Sequence, residues 1–160
     1  MKSVPPSAIA AAAAATLLLA AAPAHAVIRP QKGMAGVRLG MSQTQMRGVL
    51  GTPIRTEQGQ NDFGPFTQFI YPHSITVTFQ GNRRVTGVST RGRTEKTERG
   101  VGVGSSETAV RQKVGHVHCE TISGTHTCHV GSFLAGHRVT VFLISKHGFV
   151  VSVTVGFVLD

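Results

Sequence analysis

"GVRLGMSQTQMRGVLG" (Gly36 to Gly51) has a counterpart 64 residues on, "GVGVGSSETAVRQKVG" (Gly100 to Gly115), with seven of sixteen positions identical. The shared positions include the framing glycines, the inner pair Gly40 and Gly104, Ser42 with Ser106, and Arg47 with Arg111. An internal repeat of this kind predicts two copies of one supersecondary unit. In the first copy Ser42 suits a helix N-cap and Gln45, three residues on, completes a capping box. Met46, Val49 and Leu50 then share a face, and Gly51 with Pro53 stops the helix. In the second copy Ser106 is the cap, Glu107 favours the positive helix end, and Val110 and Val114 supply the buried face. Helices of about two turns need a sheet to pack on.

The same offset lays "ITVTF" at Ile75 on "VTVFL" at Val139. Ile75, Val77 and Phe79 alternate with Thr76, Thr78 and Gln80, the pattern of a half-buried strand. "GN" at Gly81 and Asn82 predicts a turn into "RRVTGVST", where Gly87 interrupts the alternation and predicts a bulge. "HRVTVFLIS" and "FVVSVTVGFV" pair across "KHG". The expected fold class is therefore α+β, in two tandem units, each a short helical segment packed on a roughly four-stranded antiparallel sheet. The expected division is residues 1–26 as a leader, 27–90 and 100–160 as the units, and the polar, charged stretch 91–99 as connector.

The leader reading rests on "MKSVPPSAIAAAAAATLLLAAAPAHA": one early lysine, an Ala/Leu run, and "AHA" before an expected cleavage after Ala26. The residue directly after that point is Val27 and not cysteine, so no lipid anchor is expected, nor a transmembrane anchor once the leader is removed. The product is expected to be secreted or periplasmic and monomeric. A chain of 160 residues that loses this leader is of a size for one compact domain or two small ones. The formal charge is +9, with only seven carboxylates, Glu57, Asp62, Glu95, Glu98, Glu107, Glu120 and Asp160. That balance favours an anionic partner, either an acidic protein or an anionic envelope component. Nucleic acid is not expected as a partner.

"LGMSQTQMRGVLGTP" resembles the Gly-Met-(Ser/Thr) to Leu-Gly-x-Pro signature of BamE-type (SmpA/OmlA) outer-membrane assembly proteins. A duplicated unit of this kind also resembles the beta-lactamase inhibitory proteins. The resemblance implies a helix-plus-sheet module for protein contacts, without catalytic chemistry. It departs from BamE-type proteins in lacking a lipobox cysteine, and from the inhibitors in lacking tryptophan and having one tyrosine, Tyr71.

The stretch "HVHCETISGTHTCHV" (His116 to Val130) holds both cysteines and four of eight histidines. A hairpin turning at Ser123 and Gly124 sets Thr121 against His126, Cys119 against Cys128 and His118 against His129. Cys119 and Cys128 then occupy a non-hydrogen-bonded pair, where alpha carbons lie about 4.5 Å apart, within a disulfide's usual range. An oxidising compartment favours that disulfide. The same register places His116, His118 and His129 on one face, an alternative metal site for Zn²⁺ or Cu²⁺ that uses neither cysteine.

Other motifs point to contact rather than catalysis. "QGQNDFGPF" reads as a longer loop that projects Phe63 beside Asp62 as an apolar anchor. With Tyr71 and the basic pair Arg83 and Arg84, these form the expected partner-binding set. "GVGVGSS" lacks the lysine and strand context of a phosphate loop. No paired acids or nucleophile elbow occur, so the chain is expected not to be an enzyme and to need no cofactor. The reading is an exported, non-enzymatic protein-binding module. Its alternatives are an envelope assembly or stability factor at the membrane surface and a secreted histidine-based metal-binding protein.

Overall fold

The structure is a computed structural model that describes residues 27–81 and 83–159. The expected leader, residues 1–26, lies outside the described residues, as do Asn82 and Asp160.

Strand sequences dominate the chain. Three short strands, β1 (Val27–Arg29), β2 (Gly33–Met34) and β3 (Val37–Arg38), precede helix α1 (Gln43–Leu50). Then come β4 (Arg55–Asn61), β5 (Gly64–Tyr71), a 3-10 turn at Pro72–Ser74, β6 (Ile75–Gln80) and β7 (Gly87–Thr90). After β8 (Lys96–Thr97) and α2 (Glu107–Lys113) follow β9 (His118–Ile122), β10 (Thr125–Gly131), β11 (Arg138–Ile144) and β12 (Val150–Phe157).

The expected α+β class, in two helix-on-sheet units, does not hold: strands dominate, and the two short helices share one large sheet. β4-β5-β6-β7-β12-β11-β10-β9 form one continuous sheet of eight strands. The seam is the antiparallel pairing of β7 with β12, which sets Val88 against Val155 and Thr90 against Val153. The physical reason is edge satisfaction: two separate four-stranded sheets would each leave a row of unpaired backbone groups where β7 and β12 now bond. A second, four-stranded sheet in the order β3-β2-β1-β8 is present as well, and its β1–β8 pairing is parallel. The stretch 91–99 carries β8 and the buried Glu95, whose Oε2 accepts a 2.9 Å bond from the Thr90 hydroxyl. Gly87 pairs in regular register with Thr78 and Gly156, and the irregularity lies instead at Leu143 and Ile144.

One face of the large sheet builds the core. Phe69, Val77, Phe79, Val88, Val153, Val155, Phe142, Cys128 and Val130 alternate inward along their strands. Against them pack Ile28, Met34 and Val37 of the small sheet, Met46 of α1, and Val110 and Val114 at α2. Of the expected α1 face, Met46 is buried but Val49 is 46% exposed.

The two helices begin alike. Gly40 and Gly104 take φ of +85° and +87°, a conformation that strains any side chain. The amide of Gly40 donates to Val85 O and that of Gly104 to Val150 O, both at 2.8 Å. Ser42 then accepts from the Gln45 amide in a reciprocal capping box, and Ser106 accepts from Ala109. The α1 cap thus hangs on the β6–β7 connection and the α2 cap on β12, which fixes where each helix starts.

Candidate functional site

Two surfaces stand out: one face of the large sheet and the hairpin at its edge. The first is the face turned away from the core. Its residues are the alternate positions of the same strands: Phe66, Gln68 and Ile70 on β5, Thr76 and Thr78 on β6, Ser89 on β7, Ser152 and Thr154 on β12, Val141 and Leu143 on β11. None of these belongs to the buried core cluster. The register aligns Thr76 with Ser89 and Ser89 with Thr154, so a hydroxyl band crosses the middle of the sheet. Apolar groups flank it: Phe66 and Ile70 on one side, Val141 and Leu143 on the other. Hydroxyls rotate between donor and acceptor roles, which suits them to a polar partner.

The second surface is the edge hairpin β9–β10. Its register is Ile122 to Thr125, Thr121 to His126, Glu120 to Thr127, Cys119 to Cys128 and His118 to His129. Ser123 and Gly124 turn it, with φ of +49° and +77°, the pair of positive values that a type I′ turn demands. Cys119 and Cys128 are joined by a disulfide with alpha carbons 3.9 Å apart.

His116 does not extend the histidine row. It sits in the turn before β9 at φ +55°, off the ladder. His118 and His129 do meet edge to face, with ring centroids 5.3 Å apart, and Phe133 covers His129 at 4.6 Å. His129 is 8% exposed; its Nδ1 has no hydrogen-bond partner among the described residues and lies 3.6 Å from Glu120 Oε1.

On the opposite side of the same hairpin the ladder assembles a group that sequence reading missed. His126 Nδ1 is 2.8 Å from the Thr121 hydroxyl, and its Nε2 is 2.9 Å from Glu107 Oε2. The other oxygen, Glu107 Oε1, accepts two bonds from the Arg111 guanidinium, at 2.8 Å and 2.6 Å. Arg111 holds the Glu107 carboxyl below the ordinary carboxylate range; burial opposes this and His126 reinforces it. Glu107, His126 and Cys128 bring potential ligand atoms within 4.8 Å of one another. Glu107 and His126 are 19 residues apart, and nothing local links them. The available signal was parity: the register that puts His118 beside His129 puts His126 on the other face with Cys128.

The expected partner-binding residues divide into exposed and structural ones. Asp62 and Phe63 form a two-residue hairpin turn between β4 and β5 rather than a longer loop, because both strands continue to Asn61 and Gly64. Phe63 is 49% exposed there, its amide bonded to Asn61 Oδ1 at 3.0 Å. Tyr71 is a core residue at 3% exposure; its hydroxyl meets Met46 Sδ and Gly51 O, each at 3.2 Å. Burial pushes the Tyr71 phenol up, and nearby Arg47 opposes that weakly. Arg84 donates to Gly40 O at 2.9 Å, so it braces the turn into α1, while Arg83 is exposed in the β6–β7 turn. Tyr71 and Arg84 are therefore held by the fold, whereas Phe63 tips the β4–β5 hairpin at the same end of the sheet as the β6–β7 turn that carries the basic pair, since Phe66 pairs with Gln80 and the Gly81 amide donates to Pro65 O at 2.8 Å.

No family model and no curated protein matches this chain. Solved structures do. An extracellular protein containing an SCP domain from Bacillus anthracis aligns with a TM-score of 0.51 at 10% identity, covering 74% of this chain and 44% of that one. A cysteine-rich secretory protein from Staphylococcus aureus aligns at 0.47 and 10%, with the same coverages. A DUF4309 family protein from Bacillus subtilis aligns at 0.38 and 11%, over 72% and 78%. The chain spans less than half the length of the first two. The resemblance to BamE-type and beta-lactamase inhibitory proteins is overturned: the Bacillus anthracis structure is neither, and the single eight-stranded sheet is not a pair of helix-on-sheet units. The reason is local: the fifteen residues that carried it specify a glycine turn and a capped helix, which leave the assembly of strands open. Among the described residues no helix is long and apolar enough to cross a membrane.

Proposed function

We propose that this chain is an exported, non-enzymatic module that binds another protein through the open face of its eight-stranded sheet. The observation that carries the reading is that face itself: a hydroxyl band between two apolar flanks, formed by residues outside the buried core cluster. Exposed Phe133 and Leu134, at 50% and 65%, extend the apolar margin beyond β10. Export is supported by the leader-like first 26 residues and by the disulfide. The net charge of +9 favours a partner with acidic surface.

The test compares capture of proteins from the culture medium and the membrane fraction by wild type and by face variants. Ile70→Lys and Leu143→Lys are expected to lose the captured partner, whereas Ile54→Lys, at a 69% exposed position ahead of β4, retains it. Capture that survives both face substitutions overturns the reading. Recovery only from membranes would favour an envelope factor.

A further inference from the structure

The underside of the β9–β10 hairpin already holds the parts of a metal centre around its disulfide. We propose that Cys119, Cys128, His126 and Glu107 form a Zn²⁺ site that is closed by the disulfide and opened when a dithiol reduces it.

Four observations converge. The Glu107 oxygen, the His126 nitrogen and Cys128 Sγ lie within 4.8 Å of one another, and Cys119 Sγ is bonded to Cys128 Sγ at 2.00 Å. The facing pair, His126 Nε2 and Glu107 Oε2, is 2.9 Å apart. Zinc bonds of about 2.0–2.3 Å in a tetrahedron put ligand atoms roughly 3.3–3.8 Å apart, a spacing bracketed by those two distances. The outer partners of a metal centre are also in place. Thr121 sits on His126 Nδ1 and so orients Nε2 inward, and Arg111 occupies Glu107 Oε1 and leaves Oε2 turned toward His126 Nε2. Such partners fix ring orientation and ligand basicity. Access is open, because the His126 and Glu107 side chains are 29% and 24% exposed.

The balance is straightforward. The dithiol supplies two electrons and two protons, is itself oxidised to a disulfide, and leaves Cys119 and Cys128 as thiols. Zinc then displaces one proton from each thiol. The proton on His126 Nε2 that faces Glu107 is released while Nδ1 takes one up and donates it to Thr121, so the imidazole stays neutral. Two thiolates and one carboxylate outweigh the ion by one charge, which the Arg111 guanidinium offsets. The oxidised protein lacks both thiolates, and its His126–Glu107 pair is satisfied by its own hydrogen bond.

The experiment titrates the exported protein, reduced by a phosphine under anaerobic conditions, with Co²⁺ as an optical stand-in for zinc. Zn²⁺ affinity follows from chelator competition. Reduced wild type is expected to show thiolate-to-cobalt charge-transfer absorption that saturates at one equivalent, and the oxidised protein to show none. His126→Ala and Glu107→Gln each lower Zn²⁺ affinity at least tenfold, and Thr121→Val lowers it about 10–100-fold, the usual range for an outer-shell partner. Glu107 reaches the hairpin only through the fold. If the reduced chain unfolds and merely chelates through its thiols, Glu107→Gln leaves affinity unchanged, and that result overturns the site. Absence of the charge-transfer band in reduced wild type overturns it equally.

Discussion

The two ends of the large sheet are finished differently. At one end β5 packs Phe69 and Tyr71 into the core, while the outermost strand, β4, is held mainly by its ladder to β5. β4 is exposed almost throughout, and its Arg55–Glu57 pair lies in solvent, where such a bridge contributes little. The Phe66 ring packs over Gly59, where a Cβ would fall 2.6 Å from the ring. At the other end the β9–β10 hairpin is stapled by Cys119–Cys128 and tied to α2 through His126 and Glu107. The helices follow the same division. α1 is tethered by a phenol, Tyr71 to Met46 and Gly51, and α2 by a histidine–carboxylate hydrogen bond, His126 to Glu107. A shared strand pattern therefore leaves the means of securing an edge free. The half that spends cysteines and a carboxylate on its edge is the half that concentrates chemistry.

The largest effect tests whether the ends share one core. Phe79 in β6 and Phe142 in β11 are both fully buried on opposite sides of the β7–β12 seam. Phe79→Ala and Phe142→Ala should each cost about 3–5 kcal/mol, with denaturant unfolding kept as a single transition by fluorescence-independent probes such as circular dichroism. Two transitions, only one of them shifted by each variant, would show that the halves unfold separately.

A smaller effect isolates the staple. Replacing both Cys119 and Cys128 by Ala should cost about 2–3 kcal/mol through loop entropy alone. Hydrogen exchange should rise in β9 and β10 while β4 and β5 keep their rates. Equal loosening at both ends would erase the contrast.

The smallest effect is a difference in pH response between the two helix tethers. Tyr71 is the chain's one tyrosine, so its phenolate absorbance is free of overlap. Its pKa is raised by burial, so its contribution is present below the unfolded value, near 10, and is lost as pH rises through the folded value. The absorbance midpoint should lie above 10 in the folded protein and fall to the ordinary value in denaturant. Glu107 has the opposite sign. Its carboxyl is held low by Arg111, so its contribution is present above about pH 4.3 and is lost as acid protonates the folded group. Alkali should therefore loosen α1 first and acid α2 first, read from amide exchange in each helix.

Local grammar was legible in the chain by itself. The serine caps, the Gln45 capping box, the alternation of β6 and the Ser123–Gly124 turn all depend on residues within a few positions of one another. The hairpin register followed from that turn, and with it the facing of Cys119 and Cys128. Tertiary structure alone decided what those pieces do together. Joining β7 to β12 made one sheet of eight strands, because an unpaired edge costs backbone hydrogen bonds that no local pattern records. Burial turned Tyr71 from a candidate contact into a core anchor, and the turn before β9 set His116 off the ladder. Long-range packing brought Glu107 of α2 to His126 of β10, a meeting set by where the Ser106 cap hangs on Phe149 and Val150 rather than by any spacing in the sequence.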